Sequence, residues 1–362
     1  MRVAVDARPL AEPPNGIRRW LECLLGAMPE AAPDIEWVLI VPNDGIAPPK
    51  GLNARVVVVP GSLRSLLRPA WETLRLPGAL RRSGADALLS SYGIVPPWCP
   101  MPTVSVVHDL AFLKWPRLLP LRHRWYWRWV IRSVRRAAAV VVPSTATRRA
   151  VVERLGINEE NIRLVPHAAG AVFAPAGSEI RADVRQRFGL SGAYVLAVGT
   201  LEPRKNLGTL VAAMDGVNAG SEEEVPLVLV GRKGWGEGLV GRSWLRHIVD
   251  ADDGALAALY SETAVFAMPS LDEGFGLPAL EAMACGAPVV VADAGALPEV
   301  VGDAGLTVPP EDVEGWAGAL LRVLGDQESA DDMRRRSLER ARAFSWTQSA
   351  RAVAEILRSV KK

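Results

Sequence analysis

Short apolar runs alternate with segments of helical periodicity along the 362 residues of this chain. Such alternation is typical of parallel sheets whose strands are joined by crossover helices. We therefore predict an α/β fold in which each half of the chain forms its own doubly wound sheet. The predicted strands of the first half are 2–5, 36–41, 55–59, 86–90, 103–107 and 138–142, and those of the second half are 193–198, 226–230, 264–268, 288–292 and 305–308.

The segment between the two sets of strands indicates where the domains divide. Residues 168–177 are rich in Ala, Gly and Pro, which favours a connection over a helix or a strand. The chain is also long enough for two domains of ordinary size. We predict a first domain at 1–172, a second at 173–344 and a final helix at 345–362, whose N-cap is Ser345 or Thr347.

Composition excludes several classes of protein. Hydrophobic residues make up 49% of the chain and charged residues 23%, which is ordinary for a soluble globular protein. The three cysteines are far apart, so they predict a reducing compartment without a disulfide framework, and no Cys/His cluster has zinc spacing. No apolar run reaches the roughly 18 residues of a membrane-spanning helix. Residues 1–8 carry charges that indicate a buried strand rather than a signal peptide.

Positive charge is concentrated in the first half of the chain, although the net charge is only +2. Residues 1–175 contain 23 of the 42 Lys and Arg residues but 13 of the 40 Asp and Glu residues. Segment 117–136 combines seven arginines with four aromatic residues. It fits a patch on the anionic inner leaflet of a membrane, close to a lipid-linked acceptor. The alternative is a helix that packs its aromatic residues into its own domain; nucleic acid is not an expected partner.

Segment 270–291 carries the clearest chemical signal. It predicts a loop, a helix and a buried strand, with the glycine-rich turn 274–276 opening the helix and Pro278 in its first turn. The free N–H groups and the dipole at such a helix end favour a phosphate. Glu273 and Glu281 flank this position, and carboxylates beside a phosphate accept hydrogen bonds from neutral hydroxyls. Phosphate with hydroxyls on both sides describes a nucleotide sugar.

Two further loops follow predicted strands of the second half, where ligands of open α/β sheets bind. Gly199 ends the first of these strands, and Arg204 and Lys205 stand at the start of the next helix. Two cations there can neutralise a diphosphate, the alternative being a solvated pair at a helix start. A second glycine-rich loop begins at Gly231.

These motifs together resemble the retaining glycosyltransferases of family 4, and in particular their bacterial mannosyltransferase-like branch. Glu273 and Glu281 match the family's E-x7-E motif within EGFGLPALEAMACGAPVV, and residues 199–206 read GTLEPRKN. His108 begins an HDL motif after a predicted strand. The resemblance implies the GT-B fold, in which two Rossmann-like domains face each other across a cleft and the last helix crosses back to the first domain.

The resemblance also implies roles for individual residues. Asp109 is expected at the acceptor, where it either orients the imidazole of His108 or caps a turn. Thr200 stands where many members carry arginine, and Arg18 replaces a usual glycine after Gly16, so both matches are partial. The implied catalytic residues are His108, Arg204, Lys205 and Glu273, and the implied donor-binding residues are Gly16, Gly199, Thr200, Gly231, Arg232, Ile248, Gly274, Phe275, Gly276, Leu277 and Glu281.

The implied function is transfer of a hexosyl group with retention at the anomeric carbon, to a glycan or a lipid-linked acceptor. GDP-mannose is the favoured donor, ahead of a UDP-hexose or a dTDP-deoxysugar. No cofactor or metal is expected, because Asp250 and Asp252 precede a helical pattern and fit N-capping better than a metal site. The expected location is cytoplasmic, free or peripheral on the inner face of the membrane. Alternatives are a phosphorylase or synthase of the same fold and a non-catalytic relative that binds nucleotide sugars.

Overall fold

The computed structural model describes residues 1–61, 69, 71–114, 129–219, 223–234 and 242–361. The chain forms two compact units: one comprises Met1–His167 with Ser345–Lys362, and the other comprises Ala168–Phe344. The chain passes from unit 1 to unit 2 at the start of the Ala-, Gly- and Pro-rich segment. Each unit is built around one parallel sheet, as the alternation of strands and helices predicts.

Unit 1 contains a seven-stranded sheet in the order β3-β2-β1-β4-β5-β6-β7. Strand β1 lies inside the sheet and pairs with β2 and β4, so that Val5 lies opposite both Leu39 and Leu89. Its apolar residues are buried on both faces, as expected for a parallel strand covered by helices. The strands are β1 Arg2–Asp6, β2 Glu36–Val41, β3 Ala54–Val58, β4 Ala87–Ser90, β5 Thr103–Val106, β6 Ala139–Val142 and β7 Ile162–Leu164, and the helices are α1 Gly16–Ala31, α2 Leu76–Ser83, α3 Ala111–Lys114 and α4 Thr145–Leu155.

Unit 2 contains a six-stranded sheet in the order β10-β9-β8-β11-β12-β13. Its core is formed by the sheet and the helices on both faces, and includes the fully buried Trp316 and Tyr260. The strands are β8 Val195–Val198, β9 Leu227–Val230, β10 Leu245–Ile248, β11 Val265–Met268, β12 Val289–Ala292 and β13 Leu306–Val308, and the helices are α5 Ser178–Phe188, α6 Leu207–Ala219, α7 Asp253–Glu262, α8 Leu277–Ala284, α9 Leu297–Val301, α10 Val313–Gly325 and α11 Gln327–Ala341.

Two strands, β7 and β10, are absent from the predicted set. Both lie at the edge of a sheet, and both carry an exposed arginine in their second position, Arg163 and Arg246. Both strands are short and partly exposed, so their sequences lack the continuous apolar run by which the other strands are recognised. The other strands lie within two residues of their predicted bounds.

The final helix, α12 at Trp346–Ser359, belongs to unit 1. It packs against α1, and Val353 and Leu357 are buried in the same core as residues of α1. The side chain of Ser345 caps it by accepting a hydrogen bond from the N–H of Gln348. The predicted return of the last helix to the first domain is therefore confirmed. Within the described ranges, no helix has both the length and the apolar composition that spanning a membrane requires.

Candidate functional site

The loops after β8, β9 and β10 meet at one edge of the sheet in unit 2. The N–H of Gly199 donates to the carbonyl of Val230 at 2.9 Å, and the N–H of Gly231 donates to the carbonyl of Ile248 at 2.9 Å. A Cβ at Gly231 would lie 2.1 Å from the carbonyl oxygen of Gly199, and its φ is +149°. Glycine at 231 is therefore required so that two backbones can approach each other.

An ion cluster lies at the same edge and joins the two predicted cations to one predicted carboxylate. Lys205 Nζ lies 2.8 Å from Glu273 Oε1, and Arg204 Nη1 lies 3.0 Å from the same oxygen. The side chains of Lys205 and Glu273 are 12% and 10% exposed. Because water is largely excluded from this pair, its mutual attraction is stronger than that of a surface salt bridge.

Arg204 is held by two further partners, one of which the sequence analysis missed. Its Nη2 lies 2.8 Å from Glu202 Oε1, and its Nη1 donates to the carbonyl of Asp272 at 2.7 Å. Glu202 is part of the GTLEPRKN motif, but a carboxylate two residues before an arginine is too common a pattern to single it out. The guanidinium is thus fixed by three groups that leave little rotational freedom.

Asn206 connects the turn that carries these cations to the segments that follow β11 and β13. It has a left-handed φ of 52°, which asparagine tolerates better than most residues. Its Nδ2 donates to the carbonyls of Pro269 at 3.1 Å and Pro310 at 2.7 Å. These hydrogen bonds fix the turn, and the turn in turn fixes the position of Lys205 at the sheet edge.

The electrostatics of Glu273 follow from this cluster. Burial alone would raise the pKa of its carboxyl, but the charges of Arg204 and Lys205 and the hydrogen bond from Lys205 outweigh burial and lower the pKa to about 2. Glu273 is therefore ionised at neutral pH. Its carboxylate neutralises both cations, and its acceptance of hydrogen bonds from sugar hydroxyls stays a prediction.

The glycine-rich turn opens α8 as predicted. Gly276 precedes the helix with a φ of +94°, and a Cβ there would meet Leu297 Cδ2 at 2.6 Å. The side chain of Phe275 is buried in a small core, with its ring 5.8 Å from that of Phe344 in an edge-on contact. Only the backbone of Phe275 is consequently available to a ligand. Gly274 begins this turn and Leu277 is the first residue of α8; both are also predicted to bind the donor.

Glu281 lies inside α8 and is only 2% exposed. The hydroxyl of Tyr260, itself fully buried, donates to Glu281 Oε2 at 3.4 Å. A buried carboxylate requires polar partners of this kind. The sequence does not indicate a polar role for Tyr260, because this residue lies in the apolar pattern of α7, which is typical of core packing.

The remaining predicted donor residues differ in their surroundings. Thr200 and Arg232 are exposed beside the glycine turns, and the carbonyl of Arg232 accepts a hydrogen bond from Leu201 at 3.0 Å. Gly16 is the first residue of α1 in unit 1, and a Cβ there would have no neighbour within 4 Å. Open space at Gly16 leaves its backbone accessible.

His108 follows β5 at the carboxyl edge of the sheet in unit 1. Its Nε2 lies 3.0 Å from the carbonyl oxygen of Ser91. Burial lowers the pKa of His108 to about 4, against smaller opposite effects of the Ser91 hydrogen bond and the Asp109 charge. Asp109 Oδ1 accepts a hydrogen bond from the N–H of Ala111 at 3.1 Å, so of the two roles that the sequence left open, its carboxylate caps the turn into α3.

A buried ion triad at the end of β1 was not anticipated. Arg8 is 1% exposed and lies 2.5 Å from both Asp6 Oδ2 and Glu72 Oε1, while its guanidinium lies over the rings of Trp71 and Tyr92 at 4.7 and 5.1 Å. Charges that are buried in this way are stable only when each has a partner. In the sequence, this triad is indicated only by the charged residues Asp6 and Arg8, which follow the apolar residues of β1.

The two other predictions from side-chain pattern have different outcomes. Asp252 Oδ1 accepts a hydrogen bond from the N–H of Ala255 at 2.8 Å, so the predicted N-cap is observed.

Of the basic segment 117–136, residues 117–128 lie outside the described residues. Arg135 Nε and Arg136 Nη2 donate to the carbonyls of Leu155 and Val95 at 2.7 and 2.6 Å.

Comparison with known families gives two matches. Residues 14–169 match the model described as "Glycosyltransferase Family 4", and residues 192–326 match the model described as "Glycosyl transferases group 1". The two matches thus cover most of both units.

Two relatives from Escherichia coli are similar over most of this chain. The "O-antigen chain mannosyltransferase B" is 32% identical over 67% of this chain and 66% of its own length. The "Serotype-specific mannosyltransferase WbdA" is 30% identical over 71% of this chain and 33% of its own length. The chain therefore spans about two thirds of the first relative and one third of the second.

The fold also matches a solved structure. The sucrose-phosphate synthase from Thermosynechococcus elongatus superimposes with a TM-score of 0.77 over 99% of this chain and 98% of that one, at 22% identity. At this identity the likeness shows the fold alone, and it agrees with the two Rossmann-like units described above.

Proposed function

We propose that this chain, which belongs to glycosyltransferase family 4, transfers a hexosyl group, with mannose favoured, from a nucleotide sugar to a glycan or lipid-linked acceptor in surface polysaccharide or glycolipid synthesis. The names of the two mannosyltransferase relatives support mannose as the sugar. GDP-mannose is accordingly the first donor to test, ahead of a UDP-hexose or a dTDP-deoxysugar.

The convergence of Arg204 and Lys205 on Glu273 carries the proposal. Both cations lie within 3.0 Å of one oxygen of Glu273, so two positive charges are concentrated at this edge of the sheet. A diphosphate is attracted to the same charges, and the N–H groups at the start of α8 add donors for its oxygens. Glu273 then shares its cations with the diphosphate and accepts hydrogen bonds from the sugar hydroxyls.

The proposed reaction is transfer on one face of the sugar with retention of configuration. The bond between the anomeric carbon and the phosphate oxygen breaks, and a bond forms to the acceptor oxygen on the same face. The proton of the acceptor hydroxyl passes to the departing phosphate oxygen. Arg204 and Lys205 stabilise the charge that grows on this oxygen, and removal of such a contact typically costs about 10²–10³-fold in kcat.

The other residues of the proposed site bind and orient. Glu281 accepts hydrogen bonds from the ribose hydroxyls, and the backbone at Gly231 and Ile248 lies against the base. His108 lies against the donor sugar and Asp109 near the acceptor. The leaving phosphate is neutralised by protein cations, which is the reason for proposing a reaction without a metal or another cofactor.

Purified chain incubated with single nucleotide sugars and a polyprenyl-diphosphate-linked glycan tests the proposal. We expect acceptor-dependent release of GDP from GDP-mannose, with and without EDTA, and an α-linked product by NMR, since mannose is α-linked in GDP-mannose. Lys205→Met should abolish turnover. Turnover only with a sugar phosphate as acceptor would indicate a synthase or phosphorylase, and binding without turnover would indicate a non-catalytic relative.

Peripheral binding to a membrane is a separate part of the proposal. It rests on the composition of segment 117–136 and on a lipid-linked acceptor. Co-sedimentation with vesicles of phosphatidylglycerol and phosphatidylcholine, compared with phosphatidylcholine alone, tests it. Absence of binding to anionic vesicles at low salt would remove this part without affecting the assigned activity.

A further inference from the structure

The segment that follows β11 contains a serine, Ser270, whose hydroxyl is closed off from the solvent. Ser270 is fully buried, and among the described residues its Oγ has no hydrogen-bond partner of good geometry. Buried hydroxyls normally have such a partner, because an unmade hydrogen bond in the interior costs free energy. An exception at the edge of the sheet where the candidate site lies therefore requires a physical reason.

Ser270 lies beside the ion cluster of unit 2. It lines a small cavity at the ends of β8 and β11, together with Gly199 and Lys205. A Cβ at Gly199 would lie 3.1 Å from Cε of Lys205, so the aliphatic part of the lysine packs against the glycine turn. Ser270 and Lys205 therefore stand on the wall of the same cavity.

The hydroxyl of Ser270 also acts on the carboxylate of Glu273. Burial raises the pKa of the Glu273 carboxyl, and the charges of Arg204 and Lys205 lower it. The Ser270 hydroxyl lowers this pKa further, by the smallest of the effects on the group. The hydroxyl is thus close to the carboxylate, while Lys205 Nζ holds the nearer hydrogen bond, 2.8 Å from Oε1.

The neighbours of Ser270 on both sides are tied to the turn that carries the cations. The carbonyl of Pro269 accepts a hydrogen bond from Asn206 Nδ2 at 3.1 Å. The N–H of Leu271 donates to the carbonyl of Arg204 at 2.9 Å. The backbone of Ser270 is consequently fixed beside the ion cluster, and rotation of its side chain is the motion left to its hydroxyl.

Complete burial means that Ser270 acts through a neighbouring side chain and not by touching a ligand. An ionised carboxylate only accepts hydrogen bonds, so Glu273 can accept one from the hydroxyl. A phosphate that binds Lys205 competes with Glu273 for the same ammonium group. Departure of the ammonium group leaves a buried carboxylate with fewer partners, which is costly unless another donor replaces it.

We propose that Ser270 is a positioning residue of the Lys205–Glu273 pair: its hydroxyl donates to Glu273 in place of Lys205 Nζ when the lysine turns to a phosphate of the donor. The arrival of a phosphate rests on the proposed function. The exchange of hydrogen-bond partners on Glu273 rests on the ion cluster alone. It keeps the carboxylate paired and in position while Lys205 serves the ligand.

Lys205→Met imitates the departure of the ammonium group without any ligand, and Arg204 still pairs with Glu273 in this variant. Thermal unfolding of the full chain is measured for Ser270→Ala with Lys205 present and with Lys205→Met. With Lys205 present, loss of an unbonded hydroxyl should leave the unfolding midpoint unchanged or raise it. With Lys205→Met, the hydroxyl is bonded to a charged group, so its loss should lower the midpoint by about 3–6 °C.

Ser337→Ala is the matched control for this cycle. Ser337 lies on α11 of the same unit, is also fully buried, and its Oγ likewise has no hydrogen-bond partner among the described residues. Its replacement should shift the midpoint by the same amount with Lys205 and with Lys205→Met. An equal shift for Ser270→Ala in the two backgrounds would overturn the proposal, whatever ligand the protein binds.

Calorimetric titration with GDP then tests the exchange in the presence of a phosphate. Ser270→Ala should weaken GDP binding by about tenfold or more, because Glu273 loses one donor and gains none. In the Glu273→Gln background, where no carboxylate needs a partner, Ser270→Ala should leave GDP affinity unchanged. Equal effects in the two backgrounds would contradict an action through Glu273. If the wild-type chain binds no GDP or UDP, the proposed donor fails, while the stability cycle still decides the role of Ser270.

Discussion

Lys205 and Glu273, which are 68 residues apart in sequence, form an ion pair of 2.8 Å at the carboxyl edge of the sheet in unit 2. Arg204 reaches the same carboxylate oxygen at 3.0 Å. The two candidate phosphate-binding cations are therefore held against an internal anion. This arrangement keeps the cations in place and lowers the cost of burying them.

Glu273→Gln should separate anion binding from transfer. Loss of the carboxylate charge removes the ion-pair partner of Lys205 and leaves Arg204 paired with Glu202 alone, so the affinity for GDP should be kept or increased. Transfer should fall by about 100-fold, because the group that grips the sugar is altered. Calorimetric titration with GDP and initial rates of transfer measure the two effects.

Glu311→Gln is the matched control, since Glu311 is an exposed carboxylate of the same unit. It should change neither quantity. Full transfer activity in the Glu273→Gln variant would disprove the role of Glu273 in holding the sugar.

Stability should fall on acidification from about pH 6.5 to about pH 4. The ordinary pKa of histidine, 6.5, is lowered to about 4 at His108 by burial, so between these values the unfolded chain binds a proton that the folded chain does not. The neutral imidazole contributes fully to the free energy of unfolding above about pH 6.5, and loss of this contribution by about pH 4 costs about 3 kcal/mol. Urea unfolding at pH 7.5, 5.5 and 4.5 measures it.

Replacement of His108 provides the comparison for this pH effect. His108→Gln should show a smaller loss of unfolding free energy over the same range. Glu273 adds a second loss at lower pH, between its ordinary value of 4.5 and about 2, because its folded-state pKa is also lowered. An identical pH profile in wild type and His108→Gln would contradict the assignment of the first loss.

Gly16→Ala should test whether a ligand approaches the start of α1. A Cβ at Gly16 has no neighbour within 4 Å, so folding should be unaffected or slightly improved. If the donor diphosphate lies against this backbone, kcat/KM should fall by more than about tenfold. Thermal unfolding and steady-state rates are both needed.

Gly26→Ala in the same helix supplies the control, because Gly26 also has open space around its Cβ. It should stabilise the protein by up to about 1 kcal/mol through helix propensity, with unchanged rates. Equal rates in both variants would remove Gly16 from the proposed donor site.

Leu357→Ala should weaken unit 1 through its last helix. Leu357 is fully buried in the core shared with α1, and such a truncation costs about 2–5 kcal/mol. Amide hydrogen exchange should accelerate in α1. Leu321→Ala, at a position 46% exposed on α10, should leave exchange in α1 unchanged; protection of α1 unaffected by Leu357→Ala would contradict the packing described here.

Much of the architecture is visible in the sequence because central parallel strands are apolar on both faces. The same reasoning locates Gly199 and Gly231 at strand ends, where backbones crowd. It fails at β7 and β10, which are short and in which an exposed arginine interrupts the apolar run. A run of apolar residues indicates burial, and these two strands are only partly buried.

The candidate site is predictable in its membership but not in its pairing. Sequence motifs identify Arg204, Lys205 and Glu273 as candidate site residues. Only the folded chain shows that one oxygen of Glu273 forms ion pairs with both cations. Ser91 contacts His108 through its backbone carbonyl, which every residue has, so no side-chain pattern could reveal this contact. The contact of Tyr260 with Glu281 is not predictable from sequence either, because the apolar pattern of α7 indicates only core packing.

Unit 1 contains both ends of the chain, with all of unit 2 inserted between His167 and Ser345. During translation, the apolar face of α1 therefore stays without its contacts to α12 until the whole of unit 2 has been synthesised. Unit 2 is continuous and can complete its core on the ribosome first. Sequence separation of this size slows the closing contact, so chaperone binding to nascent chains should persist longest on the unit that is made first.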